Sequence, residues 1–279
     1  MRKLEERIFK VFMIGATTIV AGSFFLIVFT ILKKGLPAMN LDMIAQVPQG
    51  GYYSGSGGGV LNAIIGSLLL AGGASLLALG ISLPIVLYLN VYLRKTSPLG
   101  RLARLSSDVL FGIPSIVYGA FGFMLMIYFG LKASLFAGII TVTLLVIPVM
   151  IRTMDEVFRT LPREMMDAAF SLGATKWEVS KVLVLQSASG ILTAVLLSFG
   201  RAIGDTAAVM FTAGFSDNIP SSLGSPAPSL PLAIFFQLSS PVEAVQARAY
   251  AAALILTFIV LSVSIEVRLI GKHLKKNKI

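Results

Sequence analysis

Long apolar runs alternate with short charged ones along the whole chain. A helix that crosses a bilayer needs about 20 predominantly apolar residues. Runs of that kind lie near 11–32, 60–93, 105–131, 133–151, 182–213 and 248–270, and they predict six transmembrane helices. The second and fifth exceed what the bilayer requires, so they are expected to tilt, break or continue into water. The first follows a charged lead, MRKLEERIFK. It is longer than the apolar core of a signal peptide (about 7–15 residues) and has no small-residue cleavage site. It reads as a retained span that serves as its own insertion signal.

Basic residues gather in alternate connections. Arg2, Lys3, Arg7 and Lys10 precede the first run, and Arg94, Lys95, Arg101 and Arg104 sit in the second connection. Arg152, Arg159, Arg163, Lys176 and Lys181 occupy the fourth, and Arg268, Lys272, Lys275, Lys276 and Lys278 the end. The other three connections hold only Lys33, Lys34 and Lys132, with Arg248 opening the last run. Cytoplasmic connections carry the Lys/Arg excess, so both termini are expected in the cytoplasm. The opposite connections differ in character. QGGYYSGSGGG (49–59) is a flexible Gly/Ser stretch, and IPSSLGSPAPSLP (219–231) is too Pro-rich for a helix. Ser240-Pro241-Val242-Glu243 reads as a helix start, with Ser240 as N-cap and Glu243 closing a capping box.

Composition agrees. Of 279 residues, 56% are hydrophobic and only 13% charged, against about 25% charged in a soluble domain. Mean hydropathy is +0.88. A net charge of +10 would suggest nucleic acid on a soluble protein. Here the basic residues flank apolar runs, so they read as topology signals and contacts with anionic lipid headgroups, and no nucleic-acid partner is expected. The chain has no cysteine and a single histidine, His273, in the terminal basic run. That excludes disulfides and Cys- or His-cluster metal sites, and His273 reads as a solvated bystander. There is no G-x-x-x-x-G-K-[ST] phosphate loop and no Ser–His–Asp set. The chain is expected to be no enzyme and to hold no cofactor of its own; energy for uphill movement would have to come from another subunit.

Two segments carry candidate chemistry. The connection 152–181, RTMDEVFRTLPREMMDAAFSLGATKWEVSK, is amphipathic, with Met165, Ala168, Ala169 and Leu172 at helical spacing. Gly173 suits the left-handed residue that ends a helix, and Thr175 with Glu178 forms a capping box that starts another. It reads as a helix–turn–helix, which by itself is as well a solvated connector. The second segment is GRAIGDTAAVMFTAG, 200–214. Arg201 and Asp205 stand four apart, which on a helix puts both on one face. Each charge at membrane depth costs at least about 2.5–3.5 kcal/mol at the bilayer centre, so the two either line a pathway or pair to lock helices together. Gly200 and Gly204 would favour close packing in the second case.

DAAFSLG (167–173) resembles the E-A-A-x-x-x-G loop of ABC importer permeases. Asp167 keeps the charge of the Glu. The family pattern continues, after nine residues, with I-x-L-P; Leu183-Val184-Leu185-Gln186 stands there, with Gln186 in place of Pro. The resemblance implies that Asp167, Ala168, Ala169, Gly173 and Lys176 belong to a coupling helix that docks on an ATPase subunit. RAIGDTA followed by FTAG resembles the R-A-x-G-E-T-A segment of phosphate importer permeases of the PstA type, with Asp for Glu. GGGVLNAIIGS (57–67), DVLFGIPSIVYGAF (108–121), IPVMIRTMDE (147–156) and SLPLAIFF (229–236) are similar to that family too. Together they cover most of 57–261; the sister PstC type shares the Arg–Gly–Glu theme.

The resemblance implies an all-α type I ABC importer permease fold with a lead at 1–56, a permease domain at 57–271 and a basic tail at 272–279. It implies a subunit of the inner membrane that translocates phosphate. Its expected partners are a PstC-type sister permease, two PstB-type ATPases that bind ATP and magnesium, a PstS-type binding protein, and lipid. Arg201, Asp205, Thr206 and Arg152 are the candidate translocation residues. Other readings stay open: another oxyanion such as tungstate or molybdate, or a sensor or scaffold that transports nothing.

Overall fold

The computed structural model describes residues 2–50, 57–94 and 96–276. Most of the Gly/Ser-rich stretch, Lys95, Lys278 and the side chain of His273 lie outside that description. Among the described residues the helices are α1 (Arg2–Gly35), α2 (Leu41–Ala45), α3 (Leu61–Leu87), α4 (Pro98–Phe111), α5 (Ser115–Tyr128), α6 (Leu135–Arg159), α7 (Arg163–Ser171), α8 (Lys176–Gln186), α9 (Ala188–Gly204), α10 (Leu230–Leu238) and α11 (Glu243–Lys276). A single π-turn, Tyr88–Tyr92, extends α3.

The centre is α3 against α6, with α9 packed on both. Small residues make that possible. Ala63, Gly66, Ser67, Ala71, Ala74, Ser75, Ala78 and Ser82 recur every three or four residues on α3 and are buried, so the backbones approach closely. Ala71, Ala74 and Ala78 meet Ile139, Val142, Leu145, Val146 and Met150 of α6 in one continuous core. A Cβ on Gly122 of α5 would run into Thr141 of α6, which fixes how near those two helices lie. The buried threonine hydroxyls of α6 are satisfied within their own helix: Thr141 donates to the Ala137 carbonyl (2.9 Å) and Thr143 to that of Ile139 (2.7 Å). The first N–H groups of α6 find carbonyls in the connection before α10, Leu135 donating to Ser225 (2.8 Å) and Phe136 to Leu223 (2.9 Å).

Four helical stretches are long and apolar enough to cross a membrane, or six if each of two bent pairs counts as one span. The bent pairs are the expected third and fifth spans. α4 and α5 meet at 100° and α8 and α9 at 70°. The first break has a sequence cause. Pro114 lacks an N–H and disfavours helical backbone before it, so the apolar run ends one helix at Phe111 and begins another at Ser115. α5, with 14 residues, is roughly 21 Å long, short of the about 30 Å hydrocarbon core. The fifth run departs further, because its helix ends at Gly204 and 206–213 forms turns. At the other extreme, α1 has an apolar window with 0% of its residues buried, against 67% for α6. α1 packs mainly on α11 among the described residues, which leaves most of its apolar circumference to lipid or a protein neighbour.

The Pro-rich stretch is non-helical up to Ser229, but its last two residues open α10. Pro231 sits in the first turn, where a missing N–H costs nothing. Its neighbour Leu230 donates to Ser67 of α3 (2.7 Å). The expected box at Ser240 does not form. The Ser240 N–H donates to the Gln237 carbonyl (3.1 Å), its hydroxyl accepts from Val242 N–H (3.3 Å), and α11 starts at Glu243. With the N–H of Ser240 already engaged, Glu243 has no donor to reach back to.

Candidate translocation and coupling site

Arg201 lies one turn before the end of α9, with its side chain exposed. Its guanidinium stands over the ring of Phe111, 6.0 Å from the centroid. Arg152 of α6 stands over the same ring at 5.1 Å. Phe111 is the last residue of α4, so the break that interrupts the third span is what delivers this ring to both arginines. A cation over an exposed aromatic face gains about 0.5–1 kcal/mol and more when desolvated. Phe111 was not singled out from the sequence, where it is one apolar residue among many in DVLFGIPSIVYGAF.

The two arginines differ in their counter-charges. Arg152 has Asp108 at 3.6 Å and Glu156 at 3.8 Å. Arg201 makes no ion pair among the described residues. The expected shared face with Asp205 is absent, because the helix stops at Gly204 and Asp205 is extended (φ −84°, ψ 124°). Its carboxylate instead accepts from the Ala208 N–H at 2.8 Å. That is the geometry of an N-cap, here on the turns 206–213, with the Thr206 carbonyl accepting from Met210 N–H (3.1 Å). Gly200 and Gly204 have no atom near enough to meet a Cβ, so they mediate no close packing within this chain.

What holds Phe111 in place is a knot around Asp155, 9% exposed. Arg104 of α4 donates to both of its oxygens, from Nε (2.9 Å) and Nη2 (3.1 Å). Asn90 of the π-turn donates to Oδ1 (2.8 Å), and Arg159 Nε lies 3.0 Å from Oδ2. A bidentate arginine–carboxylate pair is among the strongest hydrogen-bonded contacts available. It ties α4 and the end of α3 to α6. An acid inside the apolar IPVMIRTMDE segment is the signal that sequence reading passed over.

The predicted helix–turn–helix is present. α7 ends in a Schellman motif. Gly173 has φ +83° and donates to the Phe170 carbonyl (2.9 Å), while Ala174 donates to that of Ala169 (3.1 Å). Thr175 and Glu178 then exchange side chain-to-backbone bonds at 3.3 and 2.8 Å. The buried stripe differs from the expected one. Met165, Met166, Ala169 and Ala174 pack on the core, whereas Ala168 is exposed and Leu172 is 89% exposed. The Schellman turn swings Leu172 outward. Asp167, Ala168 and Leu172 thus share an outer surface with Phe170 and Trp177. Lys176 stands over the Tyr92 ring at 5.5 Å, linking the start of α8 to the π-turn.

Residues 80–276 match the family model described as "Binding-protein-dependent transport system inner membrane component", and the chain belongs to that family. It is 35% identical over 255 residues to the phosphate transport system permease protein PstA of Xylella fastidiosa, spanning 90% of this chain and 85% of that one. It is 33% identical over 261 residues to the protein of the same name from Haemophilus influenzae, covering 92% and 91%. The PstA 1 protein of Mycobacterium tuberculosis is 36% identical over 217 residues, 76% of this chain and 70% of its own. Among solved structures, a chain of the MetNI methionine ABC transporter in an inward-facing conformation superposes with a TM-score of 0.61 at 18% identity, covering 76% of this chain and 94% of that one. That likeness establishes the fold, an all-α bundle shared with that transporter chain, while the family match and the long apolar helices make the chain a multi-pass membrane component of a transport system.

Proposed function

We propose that this chain is the permease subunit of an ATP-driven importer that carries inorganic phosphate across the cytoplasmic membrane. The observation that carries the reading is Arg201, a guanidinium that forms no ion pair among the described residues, beside a second arginine on a shared aromatic ring. A planar fork of N–H donors matches phosphate oxygens two at a time and stays charged at every physiological pH. The relatives' phosphate-transport names point to the same cargo. Phosphate approaching Arg201 would meet Arg152 next, whose two ion-pair contacts at 3.6–3.8 Å are long enough to exchange. Asp205 and Thr206 shape the turns that bring the path to Arg201.

The remaining parts of the assembly follow from this role. A sister permease of the PstC type would complete the pore, two PstB-type ATPases would bind ATP and magnesium, and a PstS-type protein would deliver phosphate from outside. The surface carrying Asp167, Ala168, Gly173 and Leu172 would seat in an ATPase, with Lys176 bracing α8 against Tyr92. The permease domain would span 57–271, with 1–56 as a lead and 272–279 as a tail. Both termini would be cytoplasmic. Reporter fusions after Ser225 should then appear outside and fusions after Leu161 inside; the reverse pattern overturns the topology. Asp167→Lys should lose ATPase-coupled uptake while the protein stays in the membrane.

Cargo is tested by uptake of labelled phosphate through the assembled complex. Arg201→Lys should be poor despite retaining the charge, since an ammonium cannot supply the fork. Excess molybdate or tungstate should leave uptake unchanged. Full competition by either would replace phosphate with that oxyanion.

A further inference from the structure

A second basic site lies on the far side of the Asp155 knot. A cavity of about 370 Å³ opens between the end of α3, α4, the end of α6, α7 and α8. Arg104, Arg159 and Arg163 line it together with Asn90 and Met166. The only carboxylate that any of these arginines engages among the described residues is Asp155, which Arg104 and Arg159 share. Three guanidiniums therefore stand against one negative charge. Arg163 forms no ion pair among the described residues. Arg159 commits only its Nε, so the rest of its fork is open. One wall is the first turn of α7, whose N–H groups receive no side-chain cap. The volume is ample for a phosphate group and its waters, since one liquid water occupies about 30 Å³.

We propose that this cavity binds a phosphate group at the cytoplasmic end of the protein and that its occupant sets the position of α7. Charge and donor geometry select the chemistry, because arginine forks and uncapped helix N–H groups both favour multi-oxygen anions. The link to α7 is direct: Arg163 opens that helix and Met166, one turn on, lines the cavity, while Asp167 and Ala168 of the same short helix are exposed. Binding would draw Arg163 and Arg159 together and pull the coupling surface toward the membrane. Two sources offer this chemistry. One is free phosphate that has accumulated inside; the other is the headgroup of an anionic phospholipid, for which basic pockets on the cytoplasmic side are a known kind of site. The inference rests on the topology proposed above, because the cavity reports on the cytoplasm only if that end faces it.

The test uses the complete transport complex in nanodiscs. Wild type, Arg163→Gln, Arg159→Gln with Arg163→Gln, and Arg101→Gln are compared, each checked for assembly. In neutral phosphatidylcholine discs, binding of labelled inorganic phosphate is measured without the extracytoplasmic binding protein. In a second arm, ATPase activity is followed as phosphatidylglycerol replaces phosphatidylcholine. Losing one charge-assisted contact should weaken binding about tenfold. The double variant should therefore lose phosphate binding, or the phosphatidylglycerol response, by at least that factor, while Arg101→Gln, at an exposed arginine outside the cavity lining, retains it. Loss in the first arm identifies free phosphate and loss in the second a lipid headgroup. Unchanged behaviour of the double variant in both arms overturns the site. Topology is read separately. The chain has no cysteine, so Arg163→Cys creates a unique thiol, which an impermeant maleimide should reach only from the cytoplasmic side. Labelling from outside would reject the topology and leave the binding result standing on its own.

Discussion

The Asp155 knot and the Phe111 corner adjoin one another on α4 and α6, and both are made of arginines, yet they are built to opposite ends. At Asp155 donors at 2.8–3.1 Å reach both oxygens of one nearly buried carboxylate. At Phe111 two guanidiniums lie 5.1 and 6.0 Å above an aromatic ring, and one forms no ion pair among the described residues. A saturated arginine fixes geometry, and an unsaturated one is available to a passing anion. The first arrangement makes the second possible, because Arg104 holds α4 where its last residue meets both arginines.

The comparison breaks most visibly at Asp155. Asp155→Ala leaves Arg104 without its counter-charge, and cutting one partner from a buried pair costs about 3–5 kcal/mol. The purified complex should melt well below wild type or fail to assemble, whereas Arg201→Ala should melt with wild type. A large stability loss for Arg201→Ala would mean that the two corners are not different in kind.

Phe111→Leu removes the ring face and keeps an apolar side chain at the end of α4. If the ring holds the guanidiniums, about 0.5–2 kcal/mol of positioning is lost. The reading would be phosphate uptake reduced by up to about thirtyfold with thermal stability nearly unchanged. Stability that falls while uptake per assembled complex is preserved would make Phe111 a packing residue only.

Asp205 gives a smaller and more discriminating effect. Asp205→Ala should cost about 1 kcal/mol through loss of its cap on Ala208, whereas Asp205→Asn should retain most of the stability because Asn caps as well. Equal losses for both would return Asp205 to the role of an ion-pair partner.

Helix content and the turn between α7 and α8 were legible in the sequence because each rests on local chemistry. Gly173, Thr175 and Glu178 specify their turn within a few residues, and apolar runs longer than a bilayer are self-evident. What escaped was set by breaks and long-range partners. Pro114 inside an apolar run gives no periodic signal, so nothing distinguishes Phe111 from the apolar residues around it. Gly204 ended α9 where spacing alone continued it, which separated Asp205 from Arg201. Asp155 acquires its meaning from Arg104, 51 residues earlier, and no local pattern encodes that pairing. The exposure of Leu172 follows from the Schellman turn and could have been inferred from Gly173 itself.

The central claim is that Arg201 meets the anion rather than neutralising a neighbour. The direct measurement is labelled-phosphate uptake by Arg201→Ala, Asp205→Asn and the double variant, each verified as an assembled complex. If Arg201 contacts phosphate, Arg201→Ala abolishes uptake and the double variant is equally inactive, because neutralising Asp205 restores no donor. A double variant that transports like wild type would contradict the account and show that the arginine serves only to balance the aspartate.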